Sequence, residues 1–212
     1  MRICPQCNGR TDAEICPDDG FVTIDESVLK ISTEDTFLGT IIDGKYRLDR
    51  RLGRGGFGAV YHAVHIETGG SVAIKLIRAE LVDNPDMVKR FYAEAHNTHK
   101  LQHPNTIRVS DFGRMDEGSL YLVMEFIQGV TLSAALARNG AFPAGRVLRI
   151  AAQIFKSLGE AHQLNLVHRD IKPDNIMLMD QFGEPDFVKV LDFGIARSLD
   201  SSSITTQKLV GT

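Results

Sequence analysis

The chain contains no tryptophan, only three cysteines among its 212 residues, and no long apolar run. All three cysteines fall within the first sixteen residues, and an odd number confined to one corner is not a disulfide framework. The most apolar stretch, residues 120–127, is interrupted by Glu125 and is far too short to span a bilayer. Basic residues are not in excess. The 24 Lys and Arg stand against 27 Asp and Glu, a net charge of -3 that offers no footprint for a nucleic-acid backbone. No secretory leader is expected, because Cys4 and Cys7 sit where its apolar run would lie, so the expected compartment is the cytoplasm. What remains is an ordinary globular composition, 43% apolar and 24% charged, in a length of about one and a half domains.

The cysteines point to a metal. C-P-Q-C-N-G at residues 4–9 and C-P-D-D-G at 16–20 read as two half-copies, and aligning them on Cys-Pro puts Asp19 where Cys7 stands. Two such turns facing one another would offer Zn²⁺ three thiolates and a carboxylate from Cys4, Cys7, Cys16 and Asp19. Gly9 and Gly20 would let each turn tighten behind its ligand. The segment resembles a zinc-ribbon knuckle, with Asp replacing the fourth Cys; the alternative is a frayed tail carrying free thiols. Residues 1–24 are read as this unit, 25–40 as a linker without sustained periodicity, and 41–212 as one larger domain.

From residue 46 the pattern is strand, glycine-rich turn, strand, turn, strand: residues 46–52, then G-R-G-G-F-G, then 59–65 and 71–77. Asn84 followed by Pro85 signals a helix start, and Val88, Phe91 and Ala95 carry the helix to about residue 101. Strands are expected at 107–113 and 120–126, a short helix at 131–139, and a longer one with Val147, Ile150, Ala151, Ile154, Leu158 and Ala161 on one face. The second half therefore reads as helical, and residues 201–206 as a polar tract.

G-R-G-G-F-G-A-V at residues 53–60 fits G-x-G-x-x-G-x-V. A dinucleotide-binding turn would open into a helix, whereas this one runs straight into a strand, leaving a glycine hairpin lid over phosphates. Seventeen residues after Gly58, V-A-I-K places Lys75 on a strand beside that lid, and Glu94 on the following helix is the natural carboxylate to hold it. H-R-D-I-K-P-D-N at residues 168–175 follows, with D-F-G at 192–194, 22 positions beyond Asp170.

Taken together these motifs resemble the protein kinase family, in order from about residue 46 to residue 212, and most of all the bacterial kinases of the eukaryotic serine/threonine type. The resemblance implies an α+β, two-lobe fold: an antiparallel β-rich N-lobe with one helix at about 41–127, and a mainly helical, incomplete C-lobe at 128–212. It implies that Asp170 accepts the substrate hydroxyl proton and that Lys172 places charge beside the transferring phosphoryl group, a serine/threonine pattern. Asn175 and Asp192 resemble Mg²⁺ (or Mn²⁺) ligands, and Gly53, Gly55, Gly58, Val60, Ala73 and Lys75 resemble the residues that enclose ATP. Met124 would be the gatekeeper before the adenine-binding hinge Glu125, Phe126 and Ile127, and Arg169 the partner of an activation-loop phosphate near Thr205 and Thr206. His168 is expected to pack near Phe193 rather than act as a base, and the earlier D-F-G at 111–113 to end a strand. The family continues past Val210, Gly211 and Thr212 into A-P-E and further helices, about a third of the usual fold, so little peptide phosphorylation is expected of residues 1–212 alone. Two functions follow: a serine/threonine protein kinase acting on protein hydroxyls, or a non-catalytic ATP-binding regulatory module.

Overall fold

The computed structural model describes residues 2–4, 6–7, 9–25, 35–55, 58–79, 82, 85–181 and 183–193. Asn84, the tip of the glycine turn at 56–57 and the polar tract at 201–206 lie outside them. The chain divides into two compact units, Met1–Arg78 with Gly113–Phe126, and Ala79–Phe112 with Ile127–Thr212.

The first unit begins with three two-residue strands, β1 (Arg2–Ile3), β2 (Arg10–Thr11) and β3 (Ile24–Asp25), paired antiparallel in the order β2-β1-β3. β4 (Ile41–Ile42), β5 (Tyr46–Gly55), β6 (Gly58–His65), β7 (Ser71–Ile77) and β9 (Leu120–Glu125) follow as an antiparallel sheet in that order. β8 (Val109–Arg114) carries the chain back into this unit and contains Asp111, Phe112 and Gly113, so the earlier D-F-G lies inside a strand rather than ending one. A Cβ on Gly113 would stand 2.6 Å from the Tyr121 hydroxyl, so a larger residue there would have to displace that ring.

Strand register sorts the side chains into two faces, since cross-strand partners share a face and neighbours alternate. Val60 pairs with Lys75, which pairs with Leu122; His62 pairs with Ala73, which pairs with Met124. These six share one face. The other face holds the apolar core of Leu48, Tyr61, Ala63, Ile74, Leu76, Tyr121 and Val123, capped by Phe37 and Leu38. Residues 35–40, the end of the stretch read as a linker, thus pack on the sheet, with Asp35 accepting from the Tyr61 hydroxyl at 2.9 Å and from Arg51 at 2.8 Å.

The second unit contains α1 (Pro85–His99), β10 (Val130–Thr131), α2 (Leu132–Asn139) and α3 (Ala144–Gln163). α1 buries Met87, Phe91, Ala95 and Thr98 at helical spacing. α2 starts where Thr131 accepts from the Ala134 N–H and ends at Gly140, whose φ of 70° continues no helix. The second half is not wholly helical. A hairpin of β11 (Ile176–Gln181) and β12 (Glu184–Val190) follows, with β10 on its other side. The alternation Ile176, Leu178 on β11 and Val188, Val190 on β12 supplies its buried face, which joins Leu101, Ile150, Ala161 and Phe193 in a second core.

Candidate active site and metal centre

In the second unit the turn Pro173–Asn175 leads into β11, and β12 ends two residues before Asp192. The hairpin therefore brings Asn175 and Asp192 together from seventeen positions apart: the Leu191 N–H donates to the Asn175 carbonyl at 2.8 Å. Asn175 turns its amide to Asp170, donating to the carboxylate at 2.9 Å and to the backbone carbonyl at 2.8 Å. Lys172 Nζ reaches the same Asp170 Oδ2 at 2.8 Å, and that carboxylate holds the ammonium above its usual range. Asp170, Lys172 and Asn175 form one hydrogen-bonded constellation.

His168 is fully buried and packs on Phe193, ring centroids 4.6 Å apart, as expected. Its Nε2 faces the Leu191 carbonyl at 2.6 Å and its Nδ1 the Asp170 N–H at 3.3 Å. A carbonyl only accepts and an N–H only donates, so the ring is the neutral Nε2–H tautomer, and burial pulls its pKa below the ordinary value. Backbone strain accompanies these contacts. Arg169 and Asp192 are left-handed, φ 62° and 52°, in a region such side chains rarely adopt.

α3 holds this loop and hairpin in place. Gln153 Oε1 accepts from the Asn105 amide at 3.0 Å and from the Val188 N–H at 3.0 Å, while Asn105 also donates to the Val188 carbonyl at 2.8 Å. Arg146 forks onto Asp186 at 2.7 and 2.8 Å. Glu160 caps the Gln102 and His103 N–H groups, each at 2.9 Å. None of these positioning residues belongs to a motif singled out from the sequence.

In the first unit Gly53 pairs with Val60 and Gly55 with Gly58, so the glycine run is the end of a β-hairpin. A Cβ on Gly58 would lie 1.8 Å from the Leu76 carbonyl oxygen, which admits only glycine. Val60, Ala73, Lys75 and Met124 share the face opposite the apolar core. Lys75 and Met124 are buried. Glu125 ends β9, and Phe126 sets its ring edge-on to His62 at 4.5 Å before the chain crosses at Ile127 into the second unit. Glu94, on α1, belongs to the second unit.

The N-terminal cluster is equally defined. One ligand atom from each of Cys4, Cys7, Cys16 and Asp19 lies within 4.8 Å of all the others. Cys7 and Cys16 Sγ are 3.6 Å apart, and Cys4 Sγ is 3.2 Å from Asp19 Oδ2. Thiolates around Zn²⁺ at about 2.3 Å stand roughly 3.8 Å from one another, so the donor set fits a tetrahedral ion. Two backbone turns shape it, Cys4 N–H to Gly9 O at 2.8 Å and Cys16 N–H to Phe21 O at 2.6 Å. The Phe21 N–H also donates to Asp19 at 3.0 Å and holds its carboxyl down at about 2, ionised as a metal ligand must be. Arg47 of β5, largely buried, donates to the Val22 carbonyl and ties this turn to the sheet.

Known proteins agree with the motif order. The protein kinase domain model matches residues 46–212. Serine/threonine-protein kinase pkn3 of Myxococcus xanthus is 42% identical over 168 residues, 79% of this chain and 31% of that protein. PrkC of Bacillus subtilis is 39% identical over 175 residues, 82% of this chain and 26% of that protein. The chain spans between about a quarter and two fifths of the curated relatives it matches. Among solved structures, the kinase domain of Mycobacterium tuberculosis PknI is 30% identical with a TM-score of 0.65, covering 79% of this chain and 69% of that one. With the family's motifs in order, its β-rich and mainly helical units present, and its domain matched over most of the length, the chain belongs to the protein kinase family, among the bacterial serine/threonine kinases of eukaryotic type.

Proposed function

We propose that the protein transfers the γ-phosphoryl group of ATP to serine and threonine hydroxyls of proteins. The observation that carries this reading is the Asp170–Lys172–Asn175 constellation. Asp170 is the acceptor that draws the hydroxyl proton, and Lys172 keeps a positive charge beside it. A non-catalytic ATP-binding module would have no use for this pairing. Asn175 and Asp192 offer the hard oxygen ligands that suit Mg²⁺ or Mn²⁺, which when bound neutralises charge on the phosphates. The first unit contributes the lid glycines Gly53, Gly55 and Gly58, the face with Val60, Ala73 and Lys75, and Met124, Glu125 and Ile127 at the hinge; Glu94 is the carboxylate assigned to Lys75. The proposed partners are proteins bearing serine and threonine acceptors. Among the described residues no helix is long and apolar enough to cross a membrane. The proposed compartment is the cytoplasm, where the thiols stay reduced.

Residues 1–24 are proposed to hold one Zn²⁺ through Cys4, Cys7, Cys16 and Asp19, with 25–40 joining them to the kinase domain at 41–212; the specific support is the convergence of those four donors. Phosphoamino-acid analysis after labelling with γ-labelled ATP, in a protein that carries this domain together with the family's remaining helices, tests the kinase reading. Label on serine and threonine is expected, and label confined to tyrosine, or none on protein, would contradict it.

A further inference from the structure

The sheet that carries the glycine lid has a cleft on its reverse face. Register sets Arg51 opposite Tyr61 and Arg54 opposite Ala59, on the face away from Val60 and Lys75. With Arg78, just past the end of β7, these arginines rim a cleft of about 140 Å³ floored by Phe37 and Leu76. One carboxylate lines it, Asp35. It is buried and already engaged, by Arg51 at 2.8 Å and the Tyr61 hydroxyl at 2.9 Å. Arg54 and Arg78 are exposed, and among the described residues neither has an ion-pair partner. Among the described residues the cleft thus presents two guanidinium groups with no carboxylate paired to them, above an apolar floor.

Guanidinium groups bind phosphate with paired, charge-assisted hydrogen bonds, and a dianion satisfies two of them at once. Free phosphate would use the rim and leave Phe37 and Leu76 uncovered. A phosphate mounted on a peptide beside an apolar side chain would use both. We propose that this cleft docks a phosphorylated serine or threonine of a peptide segment, the phosphate between Arg54 and Arg78 and the neighbouring apolar side chain on Phe37 and Leu76. The inference rests on the proposed kinase activity only for the supply of such phosphomonoesters. Arg54 lies between lid glycines Gly53 and Gly55, and Arg78 follows the strand that carries Lys75. β6 of the hairpin is already paired with β7, and a dianion bridging the two arginines would add a tie from β5 to the end of β7, so occupancy is expected to tighten nucleotide binding.

The test is fluorescence anisotropy of a labelled phosphothreonine peptide with leucine on either side, against the same peptide unphosphorylated, with inorganic phosphate as competitor. The phosphorylated peptide should bind at least about tenfold more tightly, and Arg54→Gln and Arg78→Gln should each cost about tenfold. Because both arginines are exposed, the variants should keep the wild-type unfolding midpoint, which is measured alongside. Equal binding of the two peptides, discrimination that survives in the double variant, or no binding would overturn the proposal. Displacement by inorganic phosphate as effective as by the phosphopeptide would also overturn it, leaving an ion site alone. Nucleotide binding is titrated separately, so its absence with phosphopeptide binding intact would count against the kinase reading and not against this site.

Discussion

Asp170 and Asp192 carry the same side chain but are placed by different means. Asp170 is fixed through its carboxylate, which shares one oxygen between an ammonium and an amide, as well as through its own backbone N–H and carbonyl. Asp192 is fixed through its backbone, left-handed between Leu191, whose two peptide groups are bonded, and the buried ring of Phe193. His168 links the two, receiving the Asp170 N–H and donating to Leu191. Protonation would turn its accepting nitrogen into a donor facing another donor. Its folded pKa lies below the ordinary 6.5, so its contribution to stability is complete above about pH 6.5 and is lost as pH falls through the folded value. At pH 6.5 ¹⁵N NMR should therefore find His168 as the neutral Nε2–H tautomer; a half-protonated ring at that pH would contradict the geometry.

At the scale of elements, two pieces of this chain depend on close approach of backbone. The lid hairpin needs Gly58, since a Cβ there would meet the Leu76 carbonyl at 1.8 Å. Gly58→Ala should lower stability by roughly 2–3 kcal/mol by forcing β6 away from β7, read as a lower denaturant midpoint. An unchanged midpoint would mean that the strands are not so close. The N-terminal turns are proposed to need a metal, because so small a segment has little apolar surface to hold itself. Elemental analysis after purification without chelator should find about one zinc per chain, retained better in Asp19→Ala than in Cys7→Ser because a carboxylate is the weaker ligand. Less than about a tenth of an equivalent would sink this centre.

What was legible in the sequence followed the range of the interaction. Strands β5, β6 and β7, helices α2 and α3 and the Cys-Pro turns announce themselves through local periodicity, caps and glycines, and the structure has them within a few residues. The hairpin β11–β12 was hidden because its strands are short and their apolar residues pair across the turn rather than along one segment. Asn105, Gln153 and Asp186 were invisible for the same reason, being joined over 33 to 48 positions. The left-handed Arg169 had no signal at all, since neither glycine nor asparagine stands there and only the surrounding contacts impose the conformation.

For the whole molecule, the proposed phosphoryl transfer calls on residues of both compact units: the lid glycines and Lys75 belong to the first, and Asp170, Asn175 and Asp192 to the second. A ligand that binds only the folded chain stabilises it by RT ln(1 + [L]/Kd), about 2.7 kcal/mol at a hundredfold excess. Millimolar MgATP should therefore raise the unfolding midpoint, and Asp192→Asn should remove most of that rise; no shift in folded wild-type protein would count against the nucleotide site. The most direct test is steady-state transfer of label from γ-labelled ATP to a protein substrate, wild type against Asp170→Asn, in the protein that carries this domain. Asparagine keeps the size and most hydrogen bonds but loses the charge proposed to draw the hydroxyl proton. The account predicts a fall in kcat of roughly 10²- to 10⁴-fold with the KM for ATP little changed. Transfer by Asp170→Asn at the wild-type rate would contradict it.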